Sequence, residues 1–561
     1  MQKIKKAGLK KARQCKIKCM LSTLILHKNY TLFLNDYQIK IPLELNMQIP
    51  ADDPVRLLSR FIEEMDLSCL YKTYKRIRED QPSPKQMLKL AIYGYMNGIY
   101  TSRKLETSCR RDINFMFLLE GKKVPDHTTI ARFRSVHLAA CEEELFSQMT
   151  EQLYQLGEIT GKTIYIDGTK IEACANKYTF VWKKSVLKYQ KKLFEKLPAF
   201  LALCEEAYGI QLDCQIQNGI DQLKDFKQKL CRVKNQEKIV FVYGSGKRKN
   251  PIQRSIETLE SYIVRLEDYE EKLRICGDRN SYSKTDNDAV FMHLKEDAMR
   301  NGQLKASYNL QHGVDSEYIT YLTISPRPTD TRTLIPFMQK MEEHLSFRYQ
   351  NIVADAGYES EENYLFLEGN GQTSFIKPQN YEISKTRKYK NDIGRFDNMT
   401  YLEDEDAYLC RQGRKLTIQG TKSEKTASGY VRKSTCYACA DCSGCPVKAD
   451  CIKGRNCKTP LEERNKRLTI SKVFMQKRKE NLERVISEQG CLLRMNRSIQ
   501  AEGSFAQIKE NMGFRRYLCR GKKNVLAESI LVAMAYNMNK LHHKIQTGRT
   551  GTHQFELKNI A

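Results

Sequence analysis

The chain contains no apolar run near the roughly 18 residues that a membrane-spanning helix needs, so no span is expected. The short apolar stretch Leu21–Leu26 follows a strongly basic segment, but no small-residue cleavage site comes after it, which argues against a secretion signal. Acidic side chains are missing altogether from residues 1–18, which carry eight basic ones and read as a flexible arm. Acids are also in deficit overall: 67 Asp+Glu against 94 Lys+Arg leave a net charge of +27. That imbalance is the electrostatic footprint of a polyanion partner, nucleic acid first among them. Tryptophan occurs once, at Trp182. It suits packing better than stacking on a flipped base.

What is present points to a large globular chain. At 561 residues and 41% hydrophobic content, three or four structural units are expected. Cysteine is plentiful, at 19 residues, but not spread as in a disulfide scaffold. Six lie between Cys436 and Cys457 and the other 13 are scattered singly, which predicts a reducing compartment with one local metal site.

Six regions follow from the patterning. Residues 1–49 form the basic arm and a short strand or two. Residues 50–155 are helical: Pro54 and Pro84 open helices, a third follows Ser102, and Asp126 caps a fourth that carries Arg132 and Arg134. Several short helices of this kind suit a helix-turn-helix-like DNA-binding unit; a helical bundle with solvated arginines fits the same pattern. Residues 160–378 and 470–545 have the texture of a mixed α/β domain. Within it, residues 180–280 read as an antiparallel helical hairpin, its arms marked by Ile216, Ile220, Leu223 and Leu230 and by Ile252 through Leu273. The Gly244–Lys249 linker lacks the full spacing of a phosphate loop. Residues 379–469 form a polar, cysteine-rich insert, and 546–561 a tail.

The chemistry concentrates in three acids. Ile164-Tyr165-Ile166-Asp167-Gly168 and Ile352-Val353-Ala354-Asp355-Ala356-Gly357 are buried strands that each end in an aspartate. Glu502 lies on a later helix, with Lys509 almost two full turns beyond it and on nearly the same face. Three hard oxygen ligands at one sheet edge suit Mg²⁺ or Mn²⁺. Two such ions can activate water and stabilise a leaving 3′ oxygen in phosphodiester cleavage. From Arg494 to Lys523 there are eight basic and two acidic residues, as expected of a surface that grips DNA phosphates. Glu528 competes as the third acid, and Glu172 and Asp315 are lesser candidates.

The cysteine run is Cys436-x2-Cys439-x2-Cys442-x2-Cys445, then Cys451 and Cys457. Thiolates two apart can chelate one ion from a tight turn, and tetrahedral Zn²⁺ is the first expectation. Cys445-Pro446 also fits iron–sulfur ligation, though its spacing is one residue short. Any four of the six can serve, with Cys436, Cys439, Cys442 and Cys445 first and Cys451 next. With little core of its own, such an insert would take its folding energy from the metal.

These residues resemble the DDE transposases of bacterial insertion sequences, in the group with a cysteine-rich segment before the last Glu. The likeness is carried by Tyr165 to Ala173 with Asn176-Lys177, by Tyr308-Asn309-Leu310-Gln311 with Val314-Asp315, by Ala354 to Tyr358, and by Glu502 to Lys509 with Arg515-Arg516 and Arg520-Gly521. It spans roughly 50–545. The resemblance implies a ribonuclease H-like core with Asp167, Asp355 and Glu502 as the metal-binding triad. It also implies nicking at terminal inverted repeats, strand transfer of the 3′-OH into target DNA, a homodimer, and a bacterial cytoplasmic protein. The related signature Tyr-x2-Arg-x3-Glu-x6-Lys is met in part: Met495 and Ser498 stand at its Tyr and Arg places, with Arg494 and Arg497 as substitutes. Lys509, Arg494, Arg497, Arg515, Arg516, Arg520, Arg132 and Arg134 are the expected DNA contacts. A DNA-binding descendant without catalysis and a non-transposing nuclease of the same fold are the alternatives.

Overall fold

The computed structural model describes residues 48–210, 219–244, 246–294, 302–454, 457 and 459–556. The chain divides into two units, Met1–Ala51 and Asp52–Ala561. Only residues 48–51 of the first are described, so the expected arm and early strands lie almost wholly outside them. Everything below concerns the second unit.

Its N-terminal part is helical, as its caps dictate. Asp53 caps Pro54–Glu63 by accepting from the Val55 amide at 2.8 Å. Ser83 and Gln86 form a reciprocal capping box at the start of Pro84–Met96. Asp126 caps His127–Arg132. The Pro84–Met96 helix is buried on nearly every side, and it packs against the long last helix, Lys522–Gln546. Thr101, one residue before the expected Ser102, caps Ser102–Arg111.

Glu142 opens the helix Glu142–Gln155 and is only 5% exposed. Burial pushes its carboxyl up to about 7. A raised carboxyl pKa contributes stability below the unfolded value and loses it as pH climbs through the folded one. Glu142→Gln is therefore expected to raise the apparent Tm at pH 8, by an amount corresponding to about 2 kcal/mol, and to leave it unchanged at pH 4. Equal melting shifts at both pH values would contradict this.

The α/β part is built on eight strands: β1 (Thr163–Glu172), β2 (Phe180–Trp182), β3 (Ser281–Ser283), β4 (Val290–His293), β5 (Leu304–Asp315), β6 (Tyr318–Ser325), β7 (Asn351–Ala354) and β8 (Thr373–Ile376). The main sheet runs β4-β5-β1-β7-β8, with β6 also on β5. β1 pairs antiparallel with β5 and parallel with β7, and β8 continues parallel to β7. The β5–β6 turn at Ser316-Glu317 has two positive φ angles, 56° and 72°, as a tight hairpin requires. Ile164, Ile166, Ile352 and Ala354 bury one face against Leu334, Phe337 and Met338 of helix Leu334–His344 and Leu367 of Glu361–Gly369.

Two expectations are corrected. The insert is three helices rather than a two-helix hairpin: Lys183–Tyr208, Ile220–Gln236 and Pro251–Cys276 share a core of Leu197, Leu201, Phe226, Leu230, Ile256 and Leu259. Its first helix is lysine-rich and contains Pro198, which hides it from a reading by pattern. Ile216 lies outside the described residues. β2 and β3 tie the two ends of the insert together. Residues 379–469, expected to have little core, contain an antiparallel sheet in the order β13-β12-β11-β10-β9, from β9 (Thr400–Leu402), β10 (Ala407–Leu409), β11 (Lys415–Lys425), β12 (Val431–Cys439) and β13 (Arg467–Ile470). Met399, Leu416, Tyr437, Leu468 and Ile470 fill its core. No helix among the described residues is long and apolar enough to cross a membrane.

Candidate active site

Parallel pairing of β1 and β7 sets Ile166 opposite Ala354. The next residue on each chain segment is an aspartate, so Asp167 and Asp355 stand side by side where the β1–β7 ladder ends. The expected strand end at Asp167 is corrected: β1 runs on to Glu172 paired with β5, while Asp355 does follow the last residue of β7. The Gly168 amide donates to Asp167 Oδ1 at 2.8 Å. Gly168 has a packing reason to be glycine: a Cβ there would come within 2.4 Å of Gln311 Nε2 and 2.9 Å of Asp330 Oδ1.

Glu502 arrives from a helical rod that crosses this sheet. Ser487 caps it, and it runs regularly over Glu488–Arg497 before widening into π-helical turns at Ser498–Glu502 and Gln507–Asn511. Five residues make about 1.4 turns of an α-helix, which would set Arg497 and Glu502 on separate faces. The i→i+5 bonding of the π-turn brings them onto one face. Arg497 donates through Nη2 to Glu502 Oε1 at 2.7 Å and through Nη1 to Asp167 Oδ2 at 3.1 Å. Ser498, at the signature's arginine place, donates to Glu502 Oε2 at 3.1 Å. Of the two substitutes, Arg497 is the one at the acids. Arg494 lies over the Tyr381 ring at 5.2 Å and donates to Cys491 Sγ.

Electrostatics unite the group. Burial pushes the Asp167 carboxyl up to about 6, with Asp355 and Glu502 adding to the rise and Arg497 and the Gly168 amide opposing it. Arg497 is held above its ordinary range: burial works against it, but Asp167, Asp355 and Glu502 outweigh burial. Three carboxylates thus share the field of one guanidinium. Among the described residues, no three His, Cys, Asp or Glu side chains are already gathered round a place for a metal ion.

A polar layer behind the acids escaped the sequence. Asp330, from the loop after β6, accepts from Asn309 Nδ2 at 2.7 Å and Gln311 Nε2 at 3.0 Å. Gln311 Oε1 in turn accepts from Tyr358 and from Thr333 at 3.0 Å. The Tyr308–Gln311 motif was visible, but its partner Asp330 lies in a Pro-Thr loop with no periodic signal. A cavity of about 320 Å³ opens here, lined by Asp330, Asn309, Lys170, Lys305, Lys509 and Arg515 among others.

The expected basic residues divide. Lys509 donates to Thr169 Oγ1 at 2.7 Å, two residues along β1 from Asp167. Arg516 and Arg520 reach the Ala175 and Cys174 carbonyls just beyond β1, and Arg515 bonds the Lys509 carbonyl; all three are exposed. Arg132 is exposed on its helix. Arg134 is corrected: it is buried, with its guanidinium bonded to Tyr95 Oη, the Tyr100 carbonyl and Ser102, and so cannot meet a phosphate. Of the competing acids, Glu528 is buried and accepts from the Leu518 and Cys519 amides, Asp315 from those of Thr160 and Gly161, and Glu172 pairs with Lys305. Trp182 packs among Phe180 and Phe291.

Cys439, Cys442, Cys445 and Cys451 line one small hole together with Cys410, which the sequence reading passed over, although as they stand no three of them are gathered closely enough to hold an ion. Cys436 does not join them. It sits in β12, three residues before Cys439, and odd separations on a strand point to opposite faces. Its sulfur faces Thr469 across the ladder. Cys457 is exposed and does not line the hole.

Residues 43–136 match the family model described as a transposase domain (DUF772), and residues 409–542 match that of the transposase DDE domain. The second stretch includes Glu502 and Lys509, while Asp167 and Asp355 fall between the two. No curated protein and no solved structure matches the chain. Both matched segments are transposase domains, and together they support a DDE transposase of an insertion sequence.

Proposed function

We propose that the protein cleaves DNA at the terminal inverted repeats of its element and transfers the freed 3′-OH into target DNA, with Asp167, Asp355 and Glu502 as the catalytic acids. The observation that carries this is the Arg497 bridge: one cation already joins an acid from β1 to an acid on a much later helix, beside the acid that follows β7. The strand order β6-β5-β1-β7-β8, with only β5 antiparallel to its β1 neighbour, supports reading the core as ribonuclease H-like.

Hard carboxylate oxygens in a partly buried cluster fit Mg²⁺ or Mn²⁺, which the three acids would hold. Bound there, such ions supply an activated water and charge stabilisation for the leaving 3′ oxygen. The chain's own residues do the rest. Asp330, Asn309 and Gln311 hold the floor beneath Gly168, so the Asp167 carboxylate keeps its aim. Lys509 is as buried as Arg134 but, unlike it, lines the cavity beside β1, from which its ammonium, anchored by Thr169, would meet DNA backbone entering there. Arg515, Arg516 and Arg520 extend that positive edge. Arg497 neutralises the acids and holds the Asp167 and Glu502 carboxylates together, on oxygens that a metal would also use. The expected partners are double-stranded DNA and a second copy of the chain, and the expected compartment is the cytoplasm. The cysteine-rich insert is read as a zinc module.

Lys509→Ala is expected to weaken binding of repeat-ended DNA and to lower the slope of log affinity against log salt by about one, while nicking falls on the order of 10–100-fold. An unchanged slope would remove Lys509 from the phosphate contacts. A strand-transfer assay separates the transposase from a nuclease that cuts but never joins. Metal-independent binding without cleavage would favour the non-catalytic alternative.

A further inference from the structure

We propose that Cys410, Cys442, Cys445 and Cys451 hold one zinc ion, with Cys410, far upstream of the cysteine run, as the ligand that completes the set. This assignment depends on the cysteine-rich insert being metal-binding and says which of its thiols do the work.

The four sulfurs come from turns, where a metal site is easily built. Cys410 ends the β10 side of a tight turn: its amide bonds the Arg414 carbonyl at 2.9 Å, and its carbonyl accepts from Gly413, which has φ of 70°. Cys442 and Cys445 flank Gly444, with φ of 63°. Cys451 ends the short helix Lys448–Cys451. These turns enclose a hole of about 20 Å³, lined by five cysteines and by no His, Asp or Glu. Soft donors without hard ones select zinc over magnesium or calcium.

The surroundings separate the five thiols. Cys439 donates its Sγ–H to the Asp441 carbonyl at 3.2 Å, and so is satisfied as a thiol. Cys442 Sγ accepts the Lys466 amide at 3.4 Å, so its sulfur faces the segment that lines the hole. Cys451 lies within the electrostatic reach of Cys410, Cys442 and Cys445. The Lys466 ammonium bonds the Cys451 carbonyl at 3.0 Å and the Gly394 carbonyl at 2.6 Å, placing a positive charge where four thiolates round one Zn²⁺ leave net negative charge. Gly394 allows this approach, since a Cβ there would meet the Cys451 carbonyl at 2.6 Å. Zinc–sulfur bonds of about 2.3 Å need the hole to contract, so binding draws the Cys410 turn onto the Cys442–Cys451 segment. With a hydrophobic sheet beneath, the ion fixes these turns rather than folding the whole insert.

The test uses the full chain purified under reducing conditions. Elemental analysis is expected to give about one zinc per chain, and about one in Cys436→Ser. Cys410→Ser is expected to lose its zinc to a chelator at least tenfold faster. Alkylation read by mass spectrometry needs no variant: Cys410, Cys442, Cys445 and Cys451 should be protected until chelator is added, while Cys436 and Cys457 react throughout. If zinc is present but Cys410 reacts as fast as Cys457, the ligand assignment fails and the metal-binding reading survives. If the chain holds no zinc and chelator changes nothing, both fail.

Discussion

Asp355→Asn is expected to lower divalent-dependent nicking of repeat-ended DNA on the order of 10³-fold or more, while a gel shift with the same DNA stays within about twofold. The first effect follows because one of three oxygen donors to the catalytic ions loses its charge. The second follows because affinity comes chiefly from phosphate contacts, which the basic residues around Lys509 supply. Asp355 is a clean choice. Its side chain is not part of the β1–β7 ladder, which ends one residue earlier at Ala354, so the amide should leave the strand in place. Nicking that survived in Asp355→Asn at near-native rate would remove this residue from the triad. Loss of both nicking and binding would instead mean that Asp355 holds the fold.

Arg497→Ala is the second large effect. Arg497 and Asp167 are 15% and 18% exposed as side chains, so the substitution leaves a mostly buried carboxylate facing two others without its counter-charge. Removing one member of a buried pair is costly; because Glu502 is half exposed, about 2 kcal/mol is a reasonable scale here. The variant should melt several degrees below the parent in EDTA. Ca²⁺, which binds carboxylates, should recover most of the loss and should shift the variant more than the parent, whose guanidinium competes for the same oxygens. Cleavage should fall as well, since the bridge that holds the Asp167 and Glu502 carboxylates together is then lost. A variant with parental melting and no larger Ca²⁺ shift would show that the bridge is incidental.

How much of this was legible depended on whether the signal was local. The strands at Asp167 and Asp355 announce themselves through buried β-branched runs that reach an acid, and the β1–β7 pairing then follows from fold. That β1 continues beyond Asp167 to Glu172 depends on its pairing with β5, which no local signal carries. Arg497 could not be told from Arg494, because its alignment with Glu502 depends on a π-turn that widens the helix by one residue, and no spacing rule for a regular helix anticipates that. Arg134 was misplaced for the opposite reason. Its position early in a helix fits a DNA-reading arginine, and only tertiary structure reveals the Tyr95 hydroxyl and Tyr100 carbonyl that consume it. The even Cys-x2-Cys repeat misled in the same way: Cys436 and Cys439 share a spacing but lie in a strand, where three residues reverse the face. β11 is exposed along nearly its whole length, so its sequence lacks the alternation that betrays a half-buried strand.

The central claim is that these three acids cut DNA at the element's own ends. It is tested most directly by incubating the purified chain and its Asp167→Asn variant with labelled duplex bearing the DNA ends that flank the reading frame, with and without Mg²⁺. The expected result is Mg²⁺-dependent nicking by the parent that leaves a 3′-OH at the repeat boundary, with none from the variant despite equal binding. DNA that is bound but never cut by the parent under Mg²⁺ or Mn²⁺, or cut equally by the variant, would contradict it.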